Sequence, residues 1–295
     1  MKEAPGALRD VLAPAKLNLF LHIIGRRADG YHLLQSAFAL IDWCDSLDFE
    51  RRPGGAISRE DVGEDGAVPL PTDDLTVRAA RLLQRATGCT QGAHIRLHKR
   101  IPAQAGMGGG SSDAASTLLA LNRLWHLNLG RDALARIGLG LGADVPFFLH
   151  GGHAWVEGVG ERLRSLTLPP AHFVVLKPSQ GINTAQLFQH PLVYRNSPPA
   201  TMHSFAADPY NFGRNDLQAA AQQLCPQVLE CFTWLHHHGL FGRMTGSGSA
   251  TFAHVPADKL PPFLGALPEA PHGWVLRLCS TLGRHPLCDW APEQG

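Results

Sequence analysis

Hydrophobic positions along the chain change period several times, and each change marks an element. In "AKLNLFLHII", Leu17, Leu19, Leu21 and Ile23 alternate with Lys16, Asn18, Phe20 and His22. Period two predicts a strand with one buried face and sets Lys16 and Asn18 on the same side of it. A stretch rich in Gly, Pro and acidic residues over 51–71 reads as a loop. "TDDLTVRAARLLQRATG" then places Leu75, Leu82, Leu83 and Ala86 on a helical stripe, with Thr72 or Asp73 as cap and Gly88 past the end. "AHIRLHKRIP" predicts a strand running into a glycine-rich segment, after which Ala115, Leu118, Leu121 and Trp125 recur at helical spacing.

Prolines interrupt the pattern around "GVGERLRSLTLPP", and a second section begins there. It predicts a strand at "FVVL", a helix opened by Thr184, and a Pro/Ser-rich connection from Asn196 to Gly213. Helices starting near Asn215 and at Pro226 follow, then strands in "SATFAHV" and "WVLRLCS". Helices and strands mix without a regular βαβ rhythm, so the fold class is α+β, with two domains over 1–166 and 167–295.

Composition removes whole classes of function. Across 295 residues, 26 basic and 25 acidic side chains leave a net charge of +1, which is poor support for a nucleic-acid partner. The N-terminal residues hold no long apolar segment, and no apolar run reaches the roughly 18 residues of a membrane helix. Six scattered cysteines without a C-x-x-C read as free thiols. The expectation is a cytoplasmic protein with no membrane partner, either monomer or homodimer.

The chemistry concentrates in "IPAQAGMGGGSSDAAS", Ile101 to Ser116. A strand, a loop of glycine and serine, and a helix start gather backbone N–H groups around one point, where the helix dipole favours an anion. Ser111 and Ser112 add hydroxyl donors, and a Cβ at Gly108 would occupy space that phosphates need. A flexible surface connection is the ordinary alternative. No lysine in the chain follows a glycine, so this is not a Walker A loop, and both G-x-G-x-x-G and G-x-S-x-G fail from Gly106 onward.

Three segments together resemble the three motifs of the GHMP small-molecule kinases: "APAKLNLFLHIIGRRADGYHLLQS", the glycine segment, and "RMTGSGSATFA". Asp29-Gly30-Tyr31-His32, "GADVPFF" and "EGVGE" are similar to the branch that phosphorylates a cytidine diphosphate-linked polyol on the non-mevalonate route to isoprenoids. The resemblance implies ATP with Mg²⁺ and transfer of the γ-phosphoryl group to the 2-hydroxyl of a methylerythritol moiety. It implies a ribosomal-protein-like N-terminal domain, a ferredoxin-like C-terminal domain, and an active site in the cleft between them.

By resemblance, Asp144 is the catalytic aspartate and Lys16 lies beside it. Lys99, Pro102, Gly106, Gly108, Gly109, Gly110, Ser111 and Ser112 surround ATP, and Gly246, Ser247 and Gly248 lie near its phosphates. Asn18 and Thr184 meet the acceptor, His32 bonds its cytosine, and Tyr31 with Phe188 sandwiches that base. Each has a plainer account: an Asp two residues before Pro is a common helix cap, Lys16 could be a solvated strand lysine, and Phe188 could be core. Asp73-Asp74-Leu75 departs from the Asn-Leu of the family on the adenine side. A homoserine, mevalonate or sugar kinase, and a nucleotide sensor without catalysis, stay open as alternatives.

Overall fold

The computed structural model describes residues 6–62 and 70–293; the extreme N-terminus and part of the loop expected over 51–71 lie outside the described residues. Two sheets carry the chain, as the α+β reading requires. The first grows on a ribbon of two long antiparallel strands, β1 (Ala7–Arg26) and β2 (His32–Arg52). With β3 (Ile57–Val62), β4 (Gly92–His98), β5 (Ala154–Gly158) and β6 (Arg162–Ser165) it has the order β3-β4-β2-β5-β6. β4 pairs with Ser46–Arg52 and β5 with Leu34–Phe38, so the two share the edge of β2 opposite β1. β3 falls inside the stretch expected to be loop. Its interior, Ser-Arg-Glu-Asp, has no apolar alternation, so a half-exposed edge strand left no period-two signal.

Helices α1 (Leu75–Thr87), α2 (Gly109–Leu124), α3 (Arg131–Leu139) and α4 (Val145–His150) pack with Val11, Ala13, Leu40 and Phe49 in one hydrophobic cluster. The α1 cap is Asp74 rather than Thr72 or Asp73: its carboxylate accepts the Val77 N–H at 3.1 Å. The fully buried stripe of α1 is Val77, Ala79, Ala80 and Leu83, while Leu75 and Leu82 are half-buried and Ala86 is exposed. α2 is buried almost all round, because the sheet, α1 and α4 enclose it.

The second sheet has the order β10-β7-β9-β8, all antiparallel, from β7 (His172–Lys177), β8 (Gly242–Met244), β9 (Thr251–Val255) and β10 (Val275–Ser280). Helices α5 (Thr184–Gln189), α6 (Met202–Ala206), α7 (Gln218–Leu224) and α8 (Gln227–His237) precede β8, and α9 (Leu260–Gly265) precedes β10. Strand order 4-1-3-2 with these crossovers is the ferredoxin-like arrangement. β7 sends Phe173 and Val175 toward the first sheet and Val174 and Leu176 toward α8. No helix among the described residues is long and apolar enough to cross a membrane.

β1 was expected to bury one face, and it buries both. Ala15, Leu17 and Leu19 join the cluster between the sheets, while Lys16 and Asn18 on the other side are only 3% and 2% exposed. The alternation is real, but its polar side faces a cleft and not solvent. A register shift between Asn18 and Leu21 then brings Phe20 into the same cluster as Leu19. After β10 the chain crosses back: Leu282 N–H donates to Leu40 O at 2.9 Å and Arg131 N–H to Pro292 O at 2.8 Å.

Candidate active site

The glycine segment is part loop and part helix. Gly106 and Gly108 have φ of +72° and +73°, and from Gly109 the chain is already α2. Gly106 has a second demand on it. A Cβ there would collide with the Thr245 carbonyl oxygen and lie 2.8 Å from Gly248 N, so the glycine loop and "TGSG" meet backbone to backbone. Ser249 and Ala250 N–H groups donate to Gln104 and Ala105 carbonyls at 3.0 and 3.2 Å, fastening the two segments. At Gly108 a Cβ would meet Phe148 Cζ at 3.0 Å and Lys16 Cε at 3.3 Å. That glycine makes room for neighbouring side chains.

Two cavities meet at this loop. One, of about 420 Å³, is lined by Lys16, Asn18, Ser36, Asp144, Phe188 and Gly246. The other, of about 520 Å³, is lined by Asp73, Asp74, Lys99, Pro102, Gly109, Gly110 and Gly248. Gly106, Gly108, Ser111, Thr184 and Ser247 line both, and Thr184 Oγ1 lies 2.9 Å from Ser247 Oγ across the junction.

Asp144 stands at the cap position of α4, yet its side chain accepts no helix N–H. Its Oδ2 instead lies 3.6 Å from Lys16 Nζ. The Lys16 ammonium also hydrogen-bonds Asn18 Oδ1 and sits 4.6 Å over the Phe38 ring. Burial lowers the Lys16 pKa, and the Asp144 carboxylate opposes that shift. Asn18 is fixed from both ends: its N–H donates to Thr245 Oγ1 at 2.9 Å, and Nδ2 to Ser36 Oγ at 3.0 Å. These polar groups are therefore preset by a strand, a helix start and "TGSG".

The structure corrects one expectation and adds detail to two others. Ser112 is not an open hydroxyl donor; it is fully buried, lines neither cavity, and its Oγ donates to Pro14 O at 2.7 Å. Lys99 lines the second cavity, but its ammonium is bound to Asp45 and to Asp113 Oδ2, the latter at 2.7 Å. Burial opposes its charge, and the two carboxylates outweigh burial and raise its pKa. The ring stacked on Phe188 is His32, with centroids 5.4 Å apart and planes 26° apart. Tyr31 is 63% exposed and, like His32, lines neither cavity.

Several contributors escaped the sequence. Asp45 and Asp113 are buried acids to which the spacing rules give no role. Asn215, whose Nδ2 donates to Met244 O and Gly246 O at 2.8 Å each, and Arg195, which reaches His32, lie just outside the two ends of the long connection.

Comparison with known proteins agrees with this architecture. The family model described as GHMP kinases N terminal domain matches residues 74–152. A homoserine kinase structure from Cytophaga hutchinsonii ATCC 33406 is similar at a TM-score of 0.69 with 13% identity, covering 97% of each chain, and shares the fold. Fold and glycine loop thus define a small-molecule kinase of the GHMP class. The 4-diphosphocytidyl-2-C-methyl-D-erythritol kinase of Paracidovorax citrulli (strain AAC00-1) is 59% identical over 97% of this chain and 99% of its own. A crystal structure of 4-(cytidine 5'-diphospho)-2C-methyl-D-erythritol kinase has a TM-score of 0.76 and 34% identity, over 92% of this chain and 98% of that one. The chain belongs to the 4-diphosphocytidyl-2-C-methyl-D-erythritol kinase family.

Proposed function

We propose that the cleft transfers the γ-phosphoryl group of ATP to the 2-hydroxyl of 4-diphosphocytidyl-2-C-methyl-D-erythritol, a step of non-mevalonate isoprenoid biosynthesis. The observation that carries this reading is the Lys16–Asp144 pair, 3.6 Å apart, beside a loop that two cavities share. Such transfer needs positioning, charge neutralisation and a carboxylate to take the hydroxyl proton. Asp144 is free of capping duty and takes that proton. The buried Lys16 ammonium places a positive charge beside Asp144 and orients the hydroxyl, with Asn18 beside it. ATP fills the larger cavity, its phosphates against Gly106, Gly108 and the free N–H groups of the first turn of α2. Ser247 and Thr184 close the other side.

Among the described residues no three His, Cys, Asp or Glu side chains form a metal cluster. Mg²⁺ would be carried mainly by ATP phosphates and water, and Ser111, which lines both cavities, would be the protein residue placed to hold it. Bound there, Mg²⁺ supplies charge neutralisation. Domains over 1–166 and 167–295 follow the two sheets, and the tail after β10 ties the second domain onto the first. On the base side, Phe188, His32 and Tyr31 receive cytosine, with Tyr31 closing over it from its exposed position.

An ATP-dependent assay across 4-diphosphocytidyl-2-C-methyl-D-erythritol, methylerythritol phosphate, homoserine, mevalonate and galactose tests the reading. Strong preference for the first is expected. Equal turnover of methylerythritol phosphate would remove the cytidine from the proposal.

A further inference from the structure

We propose that Glu161 is a positioning residue for the acceptor, holding the β5–β6 turn as a fixed wall beside Asp144, an inference that rests on the acceptor reading above. The turn is the centre of "EGVGE", a segment to which the proposed phosphoryl transfer gives no task. Val156, Val159 and Gly160 line the cavity of about 420 Å³ together with Ala143 and Asp144. The carboxylate proposed as base therefore shares its cavity with a hairpin turn.

A turn at the edge of a sheet has few partners outside itself. Among the described residues β6 pairs only with β5, and the ladder between β5 and β2 ends at Leu34 and Gly158. Before that end, Gln35 fastens the strand. Its Nε2 donates to Glu157 Oε1 at 2.9 Å, and its Oε1 accepts the Ala200 N–H at 2.8 Å. Past it, the turn is held from within. Glu161 Oε2 accepts the Val159 N–H at 2.6 Å, and the Gly160 N–H donates to Glu157 O at 3.3 Å. An N–H bond to a carboxylate is roughly twice as strong as one to a neutral acceptor.

Two glycines fit this clamp. Gly158 has φ of +76°, and a Cβ there would collide with the Glu161 carboxylate, 2.7 Å from its Cδ. Gly160 has φ of +117°, and a Cβ there would lie 3.4 Å from the Cβ of Ala143, the residue before Asp144. One glycine admits the carboxylate, and the other lets the turn seat against the start of α4. Opening the clamp would release the wall beside the proposed base. A ~1 Å misplacement of reacting groups can cost on the order of 10²-fold in rate.

Steady-state kinetics on four variants test the clamp. Glu161→Ala should lower kcat/KM for 4-diphosphocytidyl-2-C-methyl-D-erythritol by roughly 10- to 100-fold and leave the KM for ATP within about twofold. Glu161→Gln keeps an oxygen for the Val159 N–H and should recover most of that loss. Gly158→Ala should resemble Glu161→Ala, because its Cβ expels the carboxylate. Combined with Glu161→Ala it should add at most about threefold, since no carboxylate is left to expel. The proposal is overturned by a Glu161→Ala enzyme within about threefold of the original on the acceptor, or by a KM for ATP that rises in step. It is equally overturned if Gln serves no better than Ala, or if Gly158→Ala does full damage in the Glu161→Ala background. Failure of the acceptor reading would show separately, as an unaltered enzyme that prefers another member of the acceptor panel. The same ratios are then read on that acceptor.

Discussion

On the side of the cleft proposed for phosphate, backbone meets backbone. Gly106 leaves no room for a Cβ against Thr245 and Gly248, and main-chain bonds from Ser249 and Ala250 fasten the loop. On the side proposed for the base, the parts are side chains held by side chains: Phe188 on His32, His32 on Arg195, and Tyr31 turned to solvent. The first construction dictates residue type, since only glycine satisfies both the positive φ and the close approach. The second dictates only that particular groups meet, and His32 and Arg195 are 163 positions apart in the chain. Phosphate binding should therefore be intolerant of change and indifferent to the acceptor, while base recognition should degrade in steps.

The sharpest way to break this comparison lies where the two sides join. Asp144→Asn should lower turnover by roughly 10²–10⁴-fold, the usual contribution of a positioned general base. ATP affinity, measured by calorimetry, should hardly move. Turnover above about a third of the original would leave Asp144 as a residue of the α4 start and no more. Lys16→Met follows at about 10²–10³-fold, the loss of one electrostatic stabiliser. The double variant should fall well short of the product of the two, because the groups act as a unit. Full multiplicativity would separate their roles.

This contrast also explains what the sequence could disclose. The glycine spacing and the Lys16–Asn18 alternation were legible because each is a local constraint expressed in neighbouring residues, whereas Asp144 read locally as a helix cap and was singled out only by the resemblance. The two-sheet α+β class was legible from the order of elements. β3 was not, because an edge strand of charged residues has no apolar period. Nor was the return of the chain after β10 to α3, since tail docking depends on surfaces formed by distant segments. Ser112 shows the limit within a motif: α2 begins at Gly109, so two adjacent serines on its first turn point in different directions, Ser111 into the cavities and Ser112 to Pro14 O.

On the base side, Phe188→Ala should remove a stack worth on the order of 1–3 kcal/mol. That is roughly a 5- to 150-fold loss in kcat/KM for the acceptor, with the ATP constant unchanged. Turnover of methylerythritol phosphate, which lacks the base, should be insensitive to the change, because binding energy from the remote base supports chemistry at the hydroxyl. A matching rise in the KM for ATP would mean that Phe188 shapes the whole cleft, and the two sides would not be separable.

The smallest effect tests the phosphate side by a change that ought not to matter there. Ser112 lies inside the glycine motif, but its hydroxyl donates to Pro14 O at 2.7 Å and is fully buried. Ser112→Ala leaves that carbonyl short of one partner and should cost about 1–3 kcal/mol of stability, read as a lower midpoint in denaturant unfolding. The backbone N–H of residue 112 still donates to Gly108 O, so the turn that shapes the loop survives. The ATP KM should then stay within about twofold, a difference well below 1 kcal/mol. Ser111→Ala, by contrast, removes a hydroxyl that opens on both cavities, and it should raise the ATP KM at similar stability. Should Ser112→Ala weaken ATP binding as much as Ser111→Ala does, side-chain hydroxyls and not the backbone would be holding the phosphates.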